Sequence, residues 1–143
     1  MTDPYIDADV IIRLLTNDDL IKQAEAATLL DQVKAGKIAV IAPVTVIAEA
    51  VYVLSSPRLY NVPRQKVSEL LSALVRLPGL KVRHRRAIIR ALELYASTHL
   101  DFGDAVIVAK MERDGSDILY SYDTHFDRIS TITRRSPGTV QTG

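Results

Sequence analysis

The chain has 143 residues, of which 48% are hydrophobic, and its 18 basic residues nearly balance its 17 acidic residues. This length supports one hydrophobic core, so we expect a single domain over residues 1–143. Cysteine is absent, which excludes disulfide bonds and thiolate metal sites. No apolar run reaches the ~18 residues that a membrane span needs, and no basic and hydrophobic leader opens the chain, so we expect a soluble cytoplasmic protein.

The first part of the chain alternates short apolar runs with longer amphipathic segments. In chain order, the predictions are a strand at residues 4–7, a helix capped by Asp9, a helix at 19–35, a strand at Ile38–Ala42 and a helix at 44–54. Gly36 supplies the stop for the second helix. The segment 44–54 is apolar almost all round, so we expect its helix to be deeply buried.

The second part of the chain continues the alternation. The predictions are a helix from Val62 to Pro78-Gly79, a strand at Leu80–Val82, a helix at 85–98, a helix from Phe102 to about Arg113 that Asp101 caps, a strand at Ile118–Tyr122 and an edge strand near Thr139–Gln141. Strands that alternate with helices predict an α/β fold. We expect a three-layer sandwich, with helices on both sides of a mostly parallel sheet of four or five strands.

Four acidic residues lie beside or inside apolar runs. They are Asp7 in YIDADVII, Glu49 in VTVIAEAVYVL, Asp104 in LDFGDAVIVA and Asp123 in ILYSYD. An unpaired buried carboxylate is costly unless its pKa rises or a cation compensates it. Asp7 and Asp123 fall at the ends of predicted strands, where parallel sheets bind ligands. Together the four acids predict a divalent metal site.

Each acid also has a simpler interpretation. Asp7 and Asp123 fit turns after strands, and Asp104 fits the positive end of a helix dipole. For Asp101, three residues before Asp104, a helix cap is the favoured interpretation. Glu49 is the hardest to explain in this way, because apolar residues surround it along the helix.

Carboxylates without cysteine or a paired-histidine motif favour a hard cation such as Mg²⁺ or Mn²⁺. On a phosphodiester, such an ion neutralises a phosphate oxygen and makes water a stronger nucleophile. Repulsion between the carboxylates would raise some of their pKa values until metal enters. The chemistry predicted from the acids is therefore metal-assisted phosphodiester hydrolysis.

The order of the acids in IDADVIIRLL, VIAEAVYVL, DFGDAVIVA and SYDTHFDRI resembles that of the PIN-domain ribonucleases, most closely the VapC-like toxins of bacterial and archaeal toxin–antitoxin pairs. The resemblance extends from about residue 5 to residue 129. It implies a parallel sheet with helices on both sides and a Mg²⁺- or Mn²⁺-dependent endonuclease that cuts RNA. It also implies a homodimer and inhibition by a small antitoxin protein.

The resemblance assigns roles to particular residues. The acidic quartet that holds the metal, directly or through water, would be Asp7, Glu49, Asp104 and Asp123. Ser121 matches a hydroxyl residue that orients a water or a carboxylate. The family often has Thr-Asn after its first Asp, whereas this chain has Ala8-Asp9, so Asp9 either only caps the helix or adds charge to the site. Apart from the resemblance, Arg13 on the first helix is a candidate for contact with phosphate or with a ligand carboxylate, and Asp127 is interpreted as a helix-end or salt-bridge residue.

Two other functions share some of these features. A phosphatase of the haloacid dehalogenase type would use Asp7 as nucleophile and Asp9 as acid, but it leaves Glu49 unexplained. A receiver-like signalling domain also gathers acids and Mg²⁺ at strand ends. It needs a phosphorylated aspartate after its third strand and a lysine after its fifth, and neither is evident in the sequence.

The remaining polar features are less specific. The basic run Lys81–Arg86 fits either contact with RNA phosphates or a solvated helix start. The histidines are far apart in sequence and lack metal-ligand spacing, so we expect surface or hydrogen-bonding roles for His84, His99 and His125. Core packing and a dimer or antitoxin surface are both open for Tyr52, Leu59 and Tyr60.

Overall fold

The computed structural model describes residues 2–140. Within this range the chain forms six α-helices: Ala8–Leu15 (α1), Leu20–Lys34 (α2), Val44–Ser55 (α3), Arg64–Val75 (α4), Arg85–Ser97 (α5) and Phe102–Asp114 (α6). Two short 3-10 helices follow at Thr124–Arg128 and Pro137–Thr139. None of the helices in the described range is long and apolar enough to cross a membrane.

The helix predictions are confirmed to within about two residues at most ends. Gly36 and Gly115 follow α2 and α6 with φ angles of +77° and +71°, a left-handed conformation that favours glycine. One predicted cap is wrong: the side chain of Asp7, not of Asp9, accepts a hydrogen bond from the N–H of Val10 at the start of α1. Asp9 lies one residue inside the helix, because α1 begins at Ala8.

The strands are short and pair in parallel. They are Val40–Ile41 (β1), Leu80–Lys81 (β2), Ile118–Tyr120 (β3) and Thr133–Arg135 (β4). β1 pairs with β2, and β3 pairs with β4. The chain at residues 4–6 lies beside β1, where the N–H of Ile6 donates to the carbonyl of Ile41 over 3.0 Å.

The α/β class with parallel strands is confirmed, but the strands do not form one sheet of four or five. In the described residues they form two separate two-stranded sheets. Tyr5 and Tyr120 are 69% and 51% exposed, so these segments are not enclosed by helices on both faces, as strands of a parallel sheet usually are. The predicted edge strand near Thr139 is also wrong, since Thr139 ends a 3-10 helix, while Gln141 lies outside the described residues.

The core lies mainly between helices. α5 packs against α4 and α6, and α3 packs against α1, α4 and α6. Side chains that are fully or almost fully buried include Ile47 and Leu54 on α3, Leu71 on α4, Ile88 on α5 and Val108 on α6. This packing fixes the start of α6 relative to α3, α4 and α5.

Helix α3 is not buried on all sides, contrary to the sequence-based expectation. Its inner face buries Ile47, Ala50 and Leu54, whereas Glu49 and Tyr52 are exposed on the outer face. The neighbouring helices cover one side of α3 and leave the other to solvent. The apolar composition of the segment therefore overstated its burial.

Substitution of Gly79 by alanine is expected to destabilise the fold by about 1–3 kcal/mol, the usual cost of overpacking. A Cβ atom at Gly79 would lie 2.8 Å from the carbonyl oxygen of Val33 and 2.9 Å from its Cγ1. Urea denaturation measures the loss. The matched control is Gly103→Ala, where the nearest atom is 3.5 Å away and alanine in a helix should add about 0.5–1 kcal/mol. Equal stabilities of the two variants would contradict the close packing of β2 against α2.

Candidate functional site

The start of helix α6 holds two aspartates within one turn. Asp101 is the N-cap, and its Oδ1 accepts a hydrogen bond from the N–H of Asp104 over 2.8 Å. Phe102 is 4% exposed and packs edge-on against Tyr95, with ring centroids 6.5 Å apart. Because Phe102 and Ala105 are buried, Asp104 is held half-buried where the helix enters the core.

Arg64, at the start of α4, fixes the chain that leads into α6. Its Nε donates to the carbonyl of Tyr95 over 2.8 Å, and its Nη2 donates to the carbonyl of Leu100. The guanidinium carbon lies 3.8 Å from the centroid of the Tyr95 ring, a cation–π contact. The position of Asp101 thus depends on a side chain that is distant in sequence.

Asp123 follows β3 and is held by its neighbours. The hydroxyl of Ser121 accepts from the N–H of Asp123 over 3.0 Å. Oδ1 of Asp123 accepts from the backbone N–H of His125 over 2.8 Å and lies 2.9 Å from Nδ1 of the same histidine. Ser121 therefore positions the backbone of Asp123, and His125 positions its carboxylate.

Asp127, four residues after Asp123, is paired with Arg134 in a salt bridge. Nε of Arg134 lies 2.8 Å from Oδ1 of Asp127, and its Nη1 donates to the carbonyl of Ser121 over 3.0 Å. The hydrogen bond from Arg134 lowers the pKa of Asp127. This agrees with the salt-bridge interpretation of Asp127.

The carboxylates of Asp101, Asp104 and Asp123 influence one another. Burial raises the pKa of Asp104 above its ordinary value, and the negative charges of Asp101 and Asp123 raise it further. His125 acts in the opposite direction and does not outweigh these effects. The folded chain therefore concentrates negative charge where α6 begins and β3 has ended.

Asp7 and Glu49 lie outside this electrostatic cluster. Both side chains are exposed, and neither contributes to the raised pKa of Asp104. The inference that Glu49 is a buried carboxylate is wrong, because it lies on the outer face of α3. Among residues 2–140, no three acidic or histidine side chains are placed to hold one metal ion together.

Asp9 and Arg13 form an ion pair on α1. Nε of Arg13 lies 3.6 Å from Oδ1 of Asp9, and Nη1 of Arg13 lies 3.3 Å from Oδ1 of Asp18. Arg13 is thus shared between two carboxylates. Asp9 is partly neutralised and adds little free negative charge.

The donor chemistry of the cluster suits a hard divalent cation. Mg²⁺ keeps several waters and is commonly bound through one or two carboxylates rather than by an all-protein cage. Asp104 with one acidic neighbour meets this requirement, although the described side chains form no three-ligand centre. The mutual repulsion at Asp104 is the electrostatic condition that a cation would relieve.

Two members of the cluster were not identified as site residues from the sequence. Asp101 was interpreted as a helix cap, which it is, but its charge also acts on Asp104. The Asp-x-x-Asp spacing at a helix start was the available signal, since it places both carboxylates at one helix end. His125 carried no signal, because its contact with Asp123 depends on the 3-10 turn.

Replacement of Asp104 by asparagine is expected to increase the free energy of unfolding of the metal-free protein at neutral pH. Because the folded-state pKa is above 3.8, ionisation of Asp104 costs the folded state more than the unfolded state. That cost develops as pH rises above 3.8 and disappears at lower pH, where Asp104 is protonated in both states. Urea denaturation in EDTA measures the free energy of unfolding of both proteins. The variant should be more stable than the wild type at neutral pH and equally stable at acid pH.

The matched control is Asp31→Asn, an exposed position on α2. Its stability should stay within about 0.5 kcal/mol of the wild type at neutral pH. A neutral-pH gain for Asp104→Asn that is absent, or that persists unchanged in acid, would contradict carboxylate repulsion at the start of α6.

Comparison with known proteins places the chain in a family. A model of the PIN domain matches residues 5–132, nearly the whole chain. No curated protein gives a significant match. PIN domains are generally metal-dependent nucleases, which agrees with the acidic cluster at the start of α6. The chain belongs to the PIN domain family.

Proposed function

We propose that the protein is a Mg²⁺- or Mn²⁺-dependent endoribonuclease that acts as the toxin of a toxin–antitoxin pair. The observation that carries the nuclease proposal is the placement of half-buried Asp104 in the first turn of α6 beside its N-cap Asp101 and near Asp123, where burial and these two charges raise the pKa of Asp104. A protein gains little from such repulsion unless a cation binds there. Membership of a family of generally metal-dependent nucleases supports the same activity.

The residues that would hold the cation in this proposal are Asp104 and Asp123, with Asp101 beside them. When bound, the cation supplies positive charge to a phosphate oxygen and makes water a stronger nucleophile. Hydrogen bonds within the protein fix the proposed metal-binding side chains before a cation binds. The cap from Asp101 fixes the first turn of α6, while Ser121 and His125 fix Asp123.

Asp7 and Glu49 complete the proposed quartet on the basis of the resemblance in the order of the acids. Both are exposed, so both are accessible to RNA that approaches the surface. Arg13 would have to exchange Asp9 or Asp18 for a phosphate oxygen before it could contact the substrate. We therefore assign Asp9 and Arg13 to the margin of the site, with Asp9 as the ion-pair partner of Arg13.

The toxin role brings three further proposals: a cognate antitoxin, a homodimer and a cytoplasmic location. Tyr52 and Leu59 are 71% and 58% exposed and are available for a protein interface. Tyr60 is less suitable, because its hydroxyl donates to Asp18 over 2.7 Å. No structural observation favours the phosphatase hypothesis, in which Asp9 would have to be a free acid rather than the partner of Arg13.

The direct test compares RNA cleavage by wild-type protein with that by Asp7→Asn, Glu49→Gln, Asp104→Asn and Asp123→Asn, in Mg²⁺, Mn²⁺ or EDTA. Loss of a residue that only orients a metal ligand costs about 10- to 100-fold in metal affinity or activity, so loss of a ligand should cost at least about 100-fold. EDTA should abolish cleavage by the wild type. Asp31→Asn is the matched control and should cleave normally.

Unchanged cleavage by folded Asp104→Asn and Asp123→Asn variants would exclude the proposed site. Cleavage that persists in EDTA would exclude a metal-dependent mechanism. Normal activity of Asp7→Asn and Glu49→Gln alone would remove these two residues from the site and leave the cluster at α6 in place.

The role of Asp101 can be separated from its capping function. Asparagine caps helices about as well as aspartate but carries no charge, so Asp101→Asn should keep the cap and leave the stability of the metal-free protein equal to or above that of the wild type. If the charge supports cation binding, the same variant should lose about 10- to 100-fold in activity, as outer-shell changes do. Cleavage and thermal denaturation are measured on the same preparation. Full activity with unchanged stability would restrict Asp101 to the cap.

A further inference from the structure

A cleft of about 530 Å³ lies between the start of α5 and the end of α6. Its charged and polar lining consists of His84, Arg85, Arg86, Arg90, Glu112 and Arg113. Four arginines thus face a single glutamate. The basic run near residue 84, which the nuclease proposal does not use, forms one wall of this cleft.

Two buried polar atoms in the lining have no hydrogen-bond partner among the described residues: Nδ1 of His84 and Nε of Arg85. Arg85 is held in place because its Nη2 donates to the carbonyls of Leu80 and Pro78 over 2.7 and 3.3 Å. The Nε–H of arginine can only donate, so what satisfies it must be an acceptor. An unsatisfied buried donor destabilises the folded state, so a movement that brings this group to a bound acceptor would be favourable.

Part of the positive charge in and near the cleft has no salt-bridge partner among the described residues. Arg90 pairs with Glu112 over 2.9 Å, and Arg113 pairs with Asp114 over 3.0 Å. Arg83, Arg86 and Lys110 form no salt bridge with any described acidic residue. The cleft therefore favours an anion.

The pKa of His84 is sensitive to the positive charge near the cleft. It caps α5 in a left-handed conformation, with a φ angle of +55°, which is uncommon for a residue other than glycine. Burial lowers the pKa of its imidazole, and the charges of Arg113, Arg83 and Lys110 lower it further, against the opposite effect of Asp114. An anion bound in the cleft would raise the pKa of His84, in opposition to Arg113, Arg83 and Lys110.

The cleft is distinct from the acidic cluster. Asp104 and Arg113 are nine residues apart on α6, which corresponds to about 13 Å along the helix axis. At 3.6 residues per turn they also lie on opposite sides of the helix. A ligand in the cleft would therefore not share the carboxylates proposed for the metal.

We propose that this cleft binds a phosphate group. Arginine side chains pair with phosphate oxygens through two parallel hydrogen bonds, and Arg86, which lines the cleft and is exposed, has no salt bridge with a described acidic residue. A volume of about 530 Å³ lies in the usual range for small-molecule sites, so the cleft accommodates a phosphate with an attached nucleoside. The proposal does not rest on the ribonuclease activity.

The test is a pH titration of the His84 ring by NMR, in chloride and in inorganic phosphate at equal ionic strength. Bound phosphate should raise the titration midpoint of His84 by about 0.5–1 pH unit, because an opposite charge favours the protonated imidazole. The titrations of His99 and His125, outside the cleft, serve as internal controls. Arg86→Gln should reduce the shift, and Arg58→Gln, an exposed arginine elsewhere, should not.

Adenosine 5′-monophosphate and a short RNA without terminal phosphates identify the source of the phosphate, with EDTA present to prevent cleavage. A shift of His84 at lower concentrations of the mononucleotide supports a free phosphomonoester, and a shift at lower concentrations of RNA supports a backbone phosphate. The absence of a His84-specific shift with all three probes, or an equal shift in Arg86→Gln, would overturn the proposal. Neither result depends on whether Asp104 supports cleavage.

Discussion

The packing of helix α6 against α3 and α5 is the constraint on which the rest of the structure depends, because it holds Asp104 in place against burial and the repulsion of nearby carboxylates. Burial raises the pKa of Asp104, and folding also brings Asp101 and Asp123 near enough to raise it further, although like charges oppose this arrangement. Hydrogen bonds hold the charges in place: Asp101 caps α6, His125 holds Asp123, and Arg64 ties the preceding loop to α4. A divalent cation would relieve the same repulsion, which links the cost of the metal-free fold to the proposed activity.

Helix α6 also organises the charges of the protein along its length. Asp104 lies in its first turn and Arg113 in its last, and the helix dipole favours an acid at the first end and a base at the second. The acidic cluster and Arg113 are therefore arranged with the dipole of α6 and not against it. Buried Phe102, Ala105 and Val108 anchor the helix between them, so both sites depend on the same packed face.

Much of the helical structure could be predicted from the sequence, because helix starts and stops are local signals. Gly36 follows α2 and Asp101 caps α6 where such signals place them, whereas the cap of α1 is Asp7 and not Asp9. Sheet pairing could not be predicted in the same way, since which strands pair with one another depends on contacts between residues that are distant in sequence. The exposure of Glu49 was missed because composition does not state which face of α3 its neighbours cover. The charge of Asp101 was underrated because a cap explained the residue by itself.

The most direct test of the central claim is where a divalent cation binds. Mn²⁺ is paramagnetic and broadens the NMR signals of nearby nuclei, so a titration of the amide spectrum maps its position. Broadening that begins at the first turn of α6 and at residues 121–125, and that Asp104→Asn weakens, is the predicted result. Broadening centred elsewhere, or unchanged in Asp104→Asn, would contradict the claim that the acidic cluster at α6 holds the metal.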